Sequence, residues 1–186
     1  VNTFDAAPDA DGAAAMILAS LPGEMQPGLS VRVAASSLAT DALAVHDRRD
    51  VLGFTAAKLS ADRALQQAGI GPDQIDLAEL YDRFSVYAAL SLEACGFARR
   101  GTGWRLASNG SIARGGRLPI STFGGLKARG NPGGATGVYQ IVEIARQLAG
   151  MAEDNQVNGV KWGMAQCLGS SGATAITHIM QGIESN

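Results

Sequence analysis

Three stretches of the chain carry residue types that could do chemistry. The first is Cys167 in AQCLGSSG, a thiol at the end of an apolar run and the start of a Gly/Ser turn. A thiol there could be a nucleophile or a proton carrier, or could fill a small buried space, as most unpaired cysteines do. The second is Gly124 to Gly137, GGLKARGNPGGATG, which packs six glycines around Asn131-Pro132 directly before a helical pattern. Backbone N–H groups freed by glycine and aimed along a helix N-terminus can hold a phosphate, a carboxylate or a developing oxyanion; a tight structural turn is the alternative. The loop matches neither GxxxxGK[ST] nor GxGxxG. The third is ELYDRF, Glu79 to Phe84, at a strand-to-helix junction. There Tyr81 could donate a hydrogen bond to a carbonyl, Asp82 could orient it or cap the helix, and Phe84 reads as buried.

The remaining candidates read as structural. His46 lies in the charged stretch HDRRD and His178 near the end of the last apolar run. Neither has a cysteine, serine or carboxylate at recognisable spacing, so both are read as structural or solvated. Cys95 falls inside an apolar helix pattern. The two cysteines are far apart with no CxxC, so neither a zinc site nor a disulfide framework is expected.

The elements that must position these residues follow from periodicity. Ala13 to Ser20 is a continuous apolar run between Asp11-Gly12 and Pro22-Gly23, the pattern of a strand covered on both faces. Ser30 to Ser37, with Val31 and Val33, reads as a second strand. From Phe54 to Ala68 the alanines and Leu65 recur at three and four, and Gly69 stops the helix. A short strand over Ile75 to Leu80 precedes a helix from about Phe84 to Ala94, closed by Gly96. Arg99 to Asn131 is too rich in glycine for regular structure and is expected to form long loops with one strand around Leu118 to Thr122. A helix over Val138 to Leu148 places Val138, Ile141, Val142, Ala145 and Leu148 on one face, with Gly150 as its end. Two strand-like runs, Gly159 to Cys167 and Ala173 to Met180, flank the turn Leu168 to Gly172 as a hairpin. The class is mixed α/β.

Composition narrows the partners. The 186 residues suit one domain with a sizeable core, and 15 Lys+Arg against 17 Asp+Glu leave a net charge of −2. That charge offers no basic field for a phosphate backbone, so nucleic acid is not expected as a partner. No stretch approaches the roughly 18 apolar residues that span a bilayer. The chain begins at Val1, and Asp5, Asp9 and Asp11 stand ahead of its first apolar run instead of a basic region, so no signal peptide is read there. The missing Met is read as a cut, processed or excised start. A reducing, cytoplasmic setting is expected from the cysteine usage.

Taken in order, DGAAAMILAS, IDLAELYDRFS, GGLKARGNPGGATG and CLGSSGATA resemble the C-terminal half of a thiolase, closest to the sterol-carrier-protein and archaeal type, from Asp11 to Met180. The resemblance implies one βαβαβ-type half of a five-layered αβαβα sandwich, ending in an antiparallel hairpin. Residues 1–22 would then end the N-terminal half, and residues 30–186 would form the C-terminal domain. It also implies Claisen condensation or thiolysis of coenzyme A thioesters, with acyl-CoA as substrate, no tightly bound cofactor and no metal. The nucleophilic cysteine would come from an N-terminal half or partner subunit, in an oligomer. The family's C-x-G cysteine maps onto Cys167, followed by Leu168 and Gly169. The family's G-H-P histidine is replaced in Gly130-Asn131-Pro132, and asparagine cannot take a proton near pH 7. Tyr81 to Phe84 stand where related enzymes carry N-E-A-F or H-D-C-F, so neither position offers an imidazole. Cys167, Asn131 and Tyr81 are the implied catalytic residues, with Gly130, Gly133, Gly169 and Phe84 lining the substrate or oxyanion site. Two other readings stay open: a thiolase-like lyase that cleaves a β-hydroxyacyl-CoA with tyrosine, and a non-catalytic acyl-CoA-binding or scaffolding subunit.

Overall fold

The computed structural model describes residues 2–20 and 31–183. Four strands form one mixed sheet: β1 (Val31–Thr40), β2 (Leu77–Leu80), β3 (Trp162–Gly169) and β4 (Thr174–Gly182), in the order β1-β4-β3-β2. β4 runs antiparallel to both β1 and β3, while β2 is parallel to β3. The β3–β4 pair is the expected hairpin, with Cys167 opposite Ile176 and Ala165 opposite His178.

Helices cover both faces. On one side lie α1 (Thr55–Ala68) and α2 (Ser85–Ala94). The small residues Ala56, Ala57, Ala61 and Ala64 of α1 are fully buried, and Ala61 and Ala64 join Ala35, Ala78, Met164 and Ile179 in the main core. On the other side α5 (Thr136–Leu148) brings Ile144 against Leu77, Ala165 and Met180. The three long helices stop in the same way. Gly69, Gly96 and Gly150 take left-handed φ values of 71°, 82° and 71°. The amide of the next residue then reaches back to Leu65, Leu92 and Arg146 respectively, satisfying carbonyls that the helix leaves open.

Several sequence expectations give way to the structure. Ala13 to Ser20 forms no strand: Ile17 is 96% and Leu18 73% exposed, and no ladder pairs with the run among the described residues. Apolar composition does not make a strand without a neighbouring strand to satisfy its amides. Leu118 to Thr122 contributes only one bridge, Ile120 to Ala78. Pro119 has no N–H to extend the ladder, and Ser121 turns to φ 46°, out of the strand region. The long Gly-rich stretch instead holds two short helices, α3 (Arg105–Ser108) and α4 (Gly125–Arg129). The apolar face of α5 is only half-buried. The buried face carries Thr136, Gln140, Glu143, Ile144 and Gln147, while Ile141, Ala145 and Leu148 of the apolar stripe pack half-buried against the core around Ile144.

Candidate functional site

Cys167, on β3, and Tyr81, just after β2, lie at the ends of neighbouring parallel strands and open into one groove of about 490 Å³. Gly133, Gly134, Gly137 and Val138 from the start of α5 line it, with Gly169, Ile176 and His178 from the hairpin. This is the crevice that strand ends and a helix N-terminus make in α/β sheets. Gly137 lets α5 approach the thiol: a Cβ there would stand 3.5 Å from both Cβ and Sγ of Cys167. Burial pushes the Cys167 thiol up to about 11, against a smaller opposing backbone hydrogen bond from Leu168, so it is protonated at neutral pH.

Of the residues expected to line the site, Tyr81, Cys167, Gly133 and Gly169 meet in the groove. Asn131 does not line it and is only 4% exposed. Its Oδ1 accepts from the Gly133 amide at 3.3 Å and the Thr136 hydroxyl at 3.2 Å, which leaves the Nδ2 end as the available donor. Its backbone is pinned from the other side, since the Asn131 amide donates to the Pro8 carbonyl and its carbonyl accepts from Ala10. Gly130 faces Ala10 rather than the groove. Phe84 also lies outside: it precedes α2, packs edge-on against Tyr87 at 5.2 Å and has Arg83 over its ring. Asp82 caps a helix, but not α2: its Oδ1 accepts from the Leu126 amide of α4 at 3.0 Å.

Beneath the loop lies a buried carboxyl group. Glu79 is 1% exposed, and desolvation raises its carboxyl from 4.5 to about 8 against the opposing pull of Arg129. Burial also raises Asp82. Arg129 pairs with Glu143 of α5 and stacks over Tyr139 at 4.9 Å. The Thr122 amide donates to Glu79, so these side chains tie the segments that carry Tyr81 and Asn131 to each other and to α5.

The sequence neighbours of His178 mark it as structural or solvated, yet it lines the groove with Cys167. The signal was in the hairpin. With Gly169 opposite Thr174, the register is centred between Ser171 and Gly172, and a period of two puts positions 165, 167, 176 and 178 on one face of the sheet.

Among the described residues no three of His, Cys, Asp and Glu gather to hold a metal, and no helix is long and apolar enough to cross a membrane. A separate cavity of about 320 Å³ between α1 and α2 is lined by Phe54, Lys58, Leu90 and the Asp50–Arg100 ion pair, and holds none of the residues above.

A helix-covered mixed sheet with a cysteine at a strand end, facing a glycine-rich helix start, defines the class as a thiolase-like half-domain. Residues 37–182 match the family described as thiolase C-terminal domain-like, and the chain belongs to that family. It is 41% identical over 182 residues to an acetyl-CoA acetyltransferase of Methanothermobacter thermautotrophicus, covering 96% of this chain and 47% of that protein. It is 36% identical to human sterol carrier protein 2 over 176 residues, covering 91% of this chain and 32% of that one. The chain thus spans about half the length of the first relative and a third of the second. Among solved structures, an Ltp2-ChsH2(DUF35) aldolase shares the fold with TM-score 0.72 at 24% identity, over 81% of this chain and 39% of that chain. A monomeric SCP2-thiolase like protein type 1 from Mycobacterium smegmatis does so with TM-score 0.62 at 17% identity, over 83% and 29%.

Proposed function

We propose that this chain is the C-terminal half of a thiolase-type acyltransferase acting on acyl-CoA thioesters, by Claisen condensation or thiolysis. The carrying observation is Cys167, at the C-x-G position, opening into a groove beside the glycine-rich start of α5. An N-terminal half, in the same polypeptide or a partner subunit, supplies the nucleophilic cysteine. The acyl-CoA is the substrate, and no tightly bound cofactor takes part. We place the assembly in the cytoplasm and read it as an oligomer, with residues up to about 22 closing the N-terminal half and those from 30 forming this one.

In the thiolytic direction, the carbon–carbon bond breaks and its electron pair moves onto the thioester as an enolate. Cys167, still a thiol at pH 7, gives its proton to that carbon. Asn131 stands behind the groove with its Oδ1 engaged, so it serves as an oxyanion donor only where the complete assembly brings the acyl oxygen to its Nδ2. Neither role needs Asn131 to act as a base.

Tyr81 supports a second reading. A phenol lines the same groove where a histidine or asparagine stands in related enzymes, and this suits cleavage of a β-hydroxyacyl-CoA without a cysteine nucleophile. One pair of assays separates the readings in the complete assembly. Acetoacetyl-CoA with coenzyme A reports thiolysis, and a β-hydroxyacyl-CoA without coenzyme A reports the lyase. Silence in both, with acyl-CoA still bound, leaves a scaffold.

A further inference from the structure

We infer that His178 is the proton acceptor of this groove, standing opposite Cys167 as its proton donor. The inference rests on the groove being the acyl-CoA site. His178 and Cys167 lie on adjacent antiparallel strands, with His178 opposite Ala165 and therefore diagonal to Cys167 on the same sheet face. Diagonal neighbours have Cβ atoms at most roughly 7–8 Å apart, a gap that one reacting group can bridge from both sides. The two side chains do not hydrogen-bond each other, and both line the one groove.

Three further observations converge on the same spot. His178 is half-buried, and desolvation lowers its pKa below the ordinary 6.5, so the imidazole is neutral and basic at pH 7. Cys167 is shifted the opposite way by the same cause. Two titratable groups pushed apart across one groove are the pattern of an acid–base pair. The charged or titratable side chains around His178 are Tyr81 and Cys167 in this groove and Arg32 of β1 in the adjoining cavity; α5 presents Gln140 and Ile141, neither titratable. Gln140 is 1% exposed and lines the groove. Its Nε2 donates to the Gln166 carbonyl at 3.0 Å, while its buried Oε1 has no partner. An unpaired buried acceptor beside the acid–base pair is a place for a ligand's N–H or O–H.

The step balances without another reactant. The nucleophilic cysteine of the N-terminal half loses its proton to a ring nitrogen of His178 as its sulfur attacks the β-keto carbonyl; the S–H bond breaks and N–H and C–S bonds form. When the carbon–carbon bond breaks, the departing enolate takes the Cys167 proton, and imidazolium returns its proton to the Cys167 thiolate through water. Coenzyme A then attacks the acyl-cysteine, its thiol proton passing by way of His178 to the departing cysteine sulfur, which restores every group. His178 thus supplies the base that Asn131 cannot be.

The test uses the complete protein containing both halves. The rate kcat/KM for acetoacetyl-CoA thiolysis is measured against pH for wild type, His178→Gln and His178→Ala, alongside acetyl-CoA binding and far-UV circular dichroism. Wild type should show an ascending limb with an inflection below 6.5. His178→Gln should lose that limb and roughly 100- to 10,000-fold in rate while binding acetyl-CoA as before. Added imidazole should restore part of the activity to His178→Ala, a response that a merely structural residue would not give. A folded His178→Gln protein that keeps the limb and close to the wild-type rate overturns the assignment and leaves the site reading intact. Wild type that neither binds acetyl-CoA nor thiolyses acetoacetyl-CoA overturns the site reading, and the role of His178 with it.

Discussion

Gly137 faces Cys167 across the interface of α5 and β3, and a methyl group added to the glycine would sit 3.5 Å from the sulfur, at ordinary van der Waals distance. The helix therefore reaches the thiol without a side chain between them.

That contact makes Gly137→Ala a graded probe. Alanine relieves the helix of a glycine and should leave stability unchanged or raise it by about 0.5–1 kcal/mol, while partly covering the sulfur. Gly137→Val should cover it further. Urea unfolding should show the first effect, and alkylation of Cys167 by iodoacetamide should slow in the order glycine, alanine, valine. Equal rates in all three would mean that the thiol is approached from another side.

Burial holds both thiols protonated at neutral pH, Cys167 up to about 11 and Cys95 up to about 12. Alkylation of the native chain should be slow at pH 7 and climb about tenfold per pH unit toward pH 10, since only the thiolate reacts. Cys95, fully enclosed, should react only on unfolding. Mass mapping of the labelled peptides checks this, and rapid labelling of Cys167 at pH 7 would refute it.

Glu79 makes stability depend on pH in a defined direction. Its folded carboxyl keeps its proton up to about pH 8, whereas the unfolded chain loses it near 4.5. The folded state binds more protons within that window, so this residue's contribution falls as pH rises from about 4.5 to about 8 and then levels off. Glu79→Gln keeps an acceptor for the Thr122 amide and removes the slope. The variant should gain on wild type in urea unfolding at pH 8 and show little difference at pH 4.5; equal differences at both pH values would contradict the buried neutral carboxyl.

The α4 helix depends on a glycine that no other residue replaces. Gly125 has φ 65°, and a Cβ there would stand 2.0 Å from Asp82 Oδ2, inside the carboxylate that caps the helix. Gly125→Ala should destabilise by more than 1 kcal/mol, combining left-handed strain with loss of the Leu126 cap. Asp82→Ala, which loses only the cap, should cost about 1 kcal/mol. Thermal unfolding of the two variants should rank them in that order.

The sequence disclosed the elements whose signals are local. The alanine spacing of α1, the stops at Gly69, Gly96 and Gly150 and the hairpin about Gly172 all appear where periodicity and turn chemistry placed them. What it hid depends on distant parts of the chain. Ala13 to Ser20 had strand composition but no strand beside it, and the apolar stripe of α5 did not reveal that Gln140 and Gln147 would occupy the buried face. Asp82 reaches a helix more than forty residues away, which spacing along the chain cannot show. His178 is legible through the hairpin register, by its neighbours across the ladder and not by those along the chain.

The central claim, that this chain completes an acyl-CoA thiolysis site around Cys167, is tested most directly by one rate. The complete assembly is given acetoacetyl-CoA and coenzyme A, and loss of the acetoacetyl absorbance is followed for wild type and Cys167→Ala. The account predicts thiolysis by wild type and a loss of at least about 100-fold on removing the thiol, the scale of a missing proton-transfer group. Cys167→Ala turning over at the wild-type rate, or a complete assembly that neither thiolyses the substrate nor binds it, would contradict it.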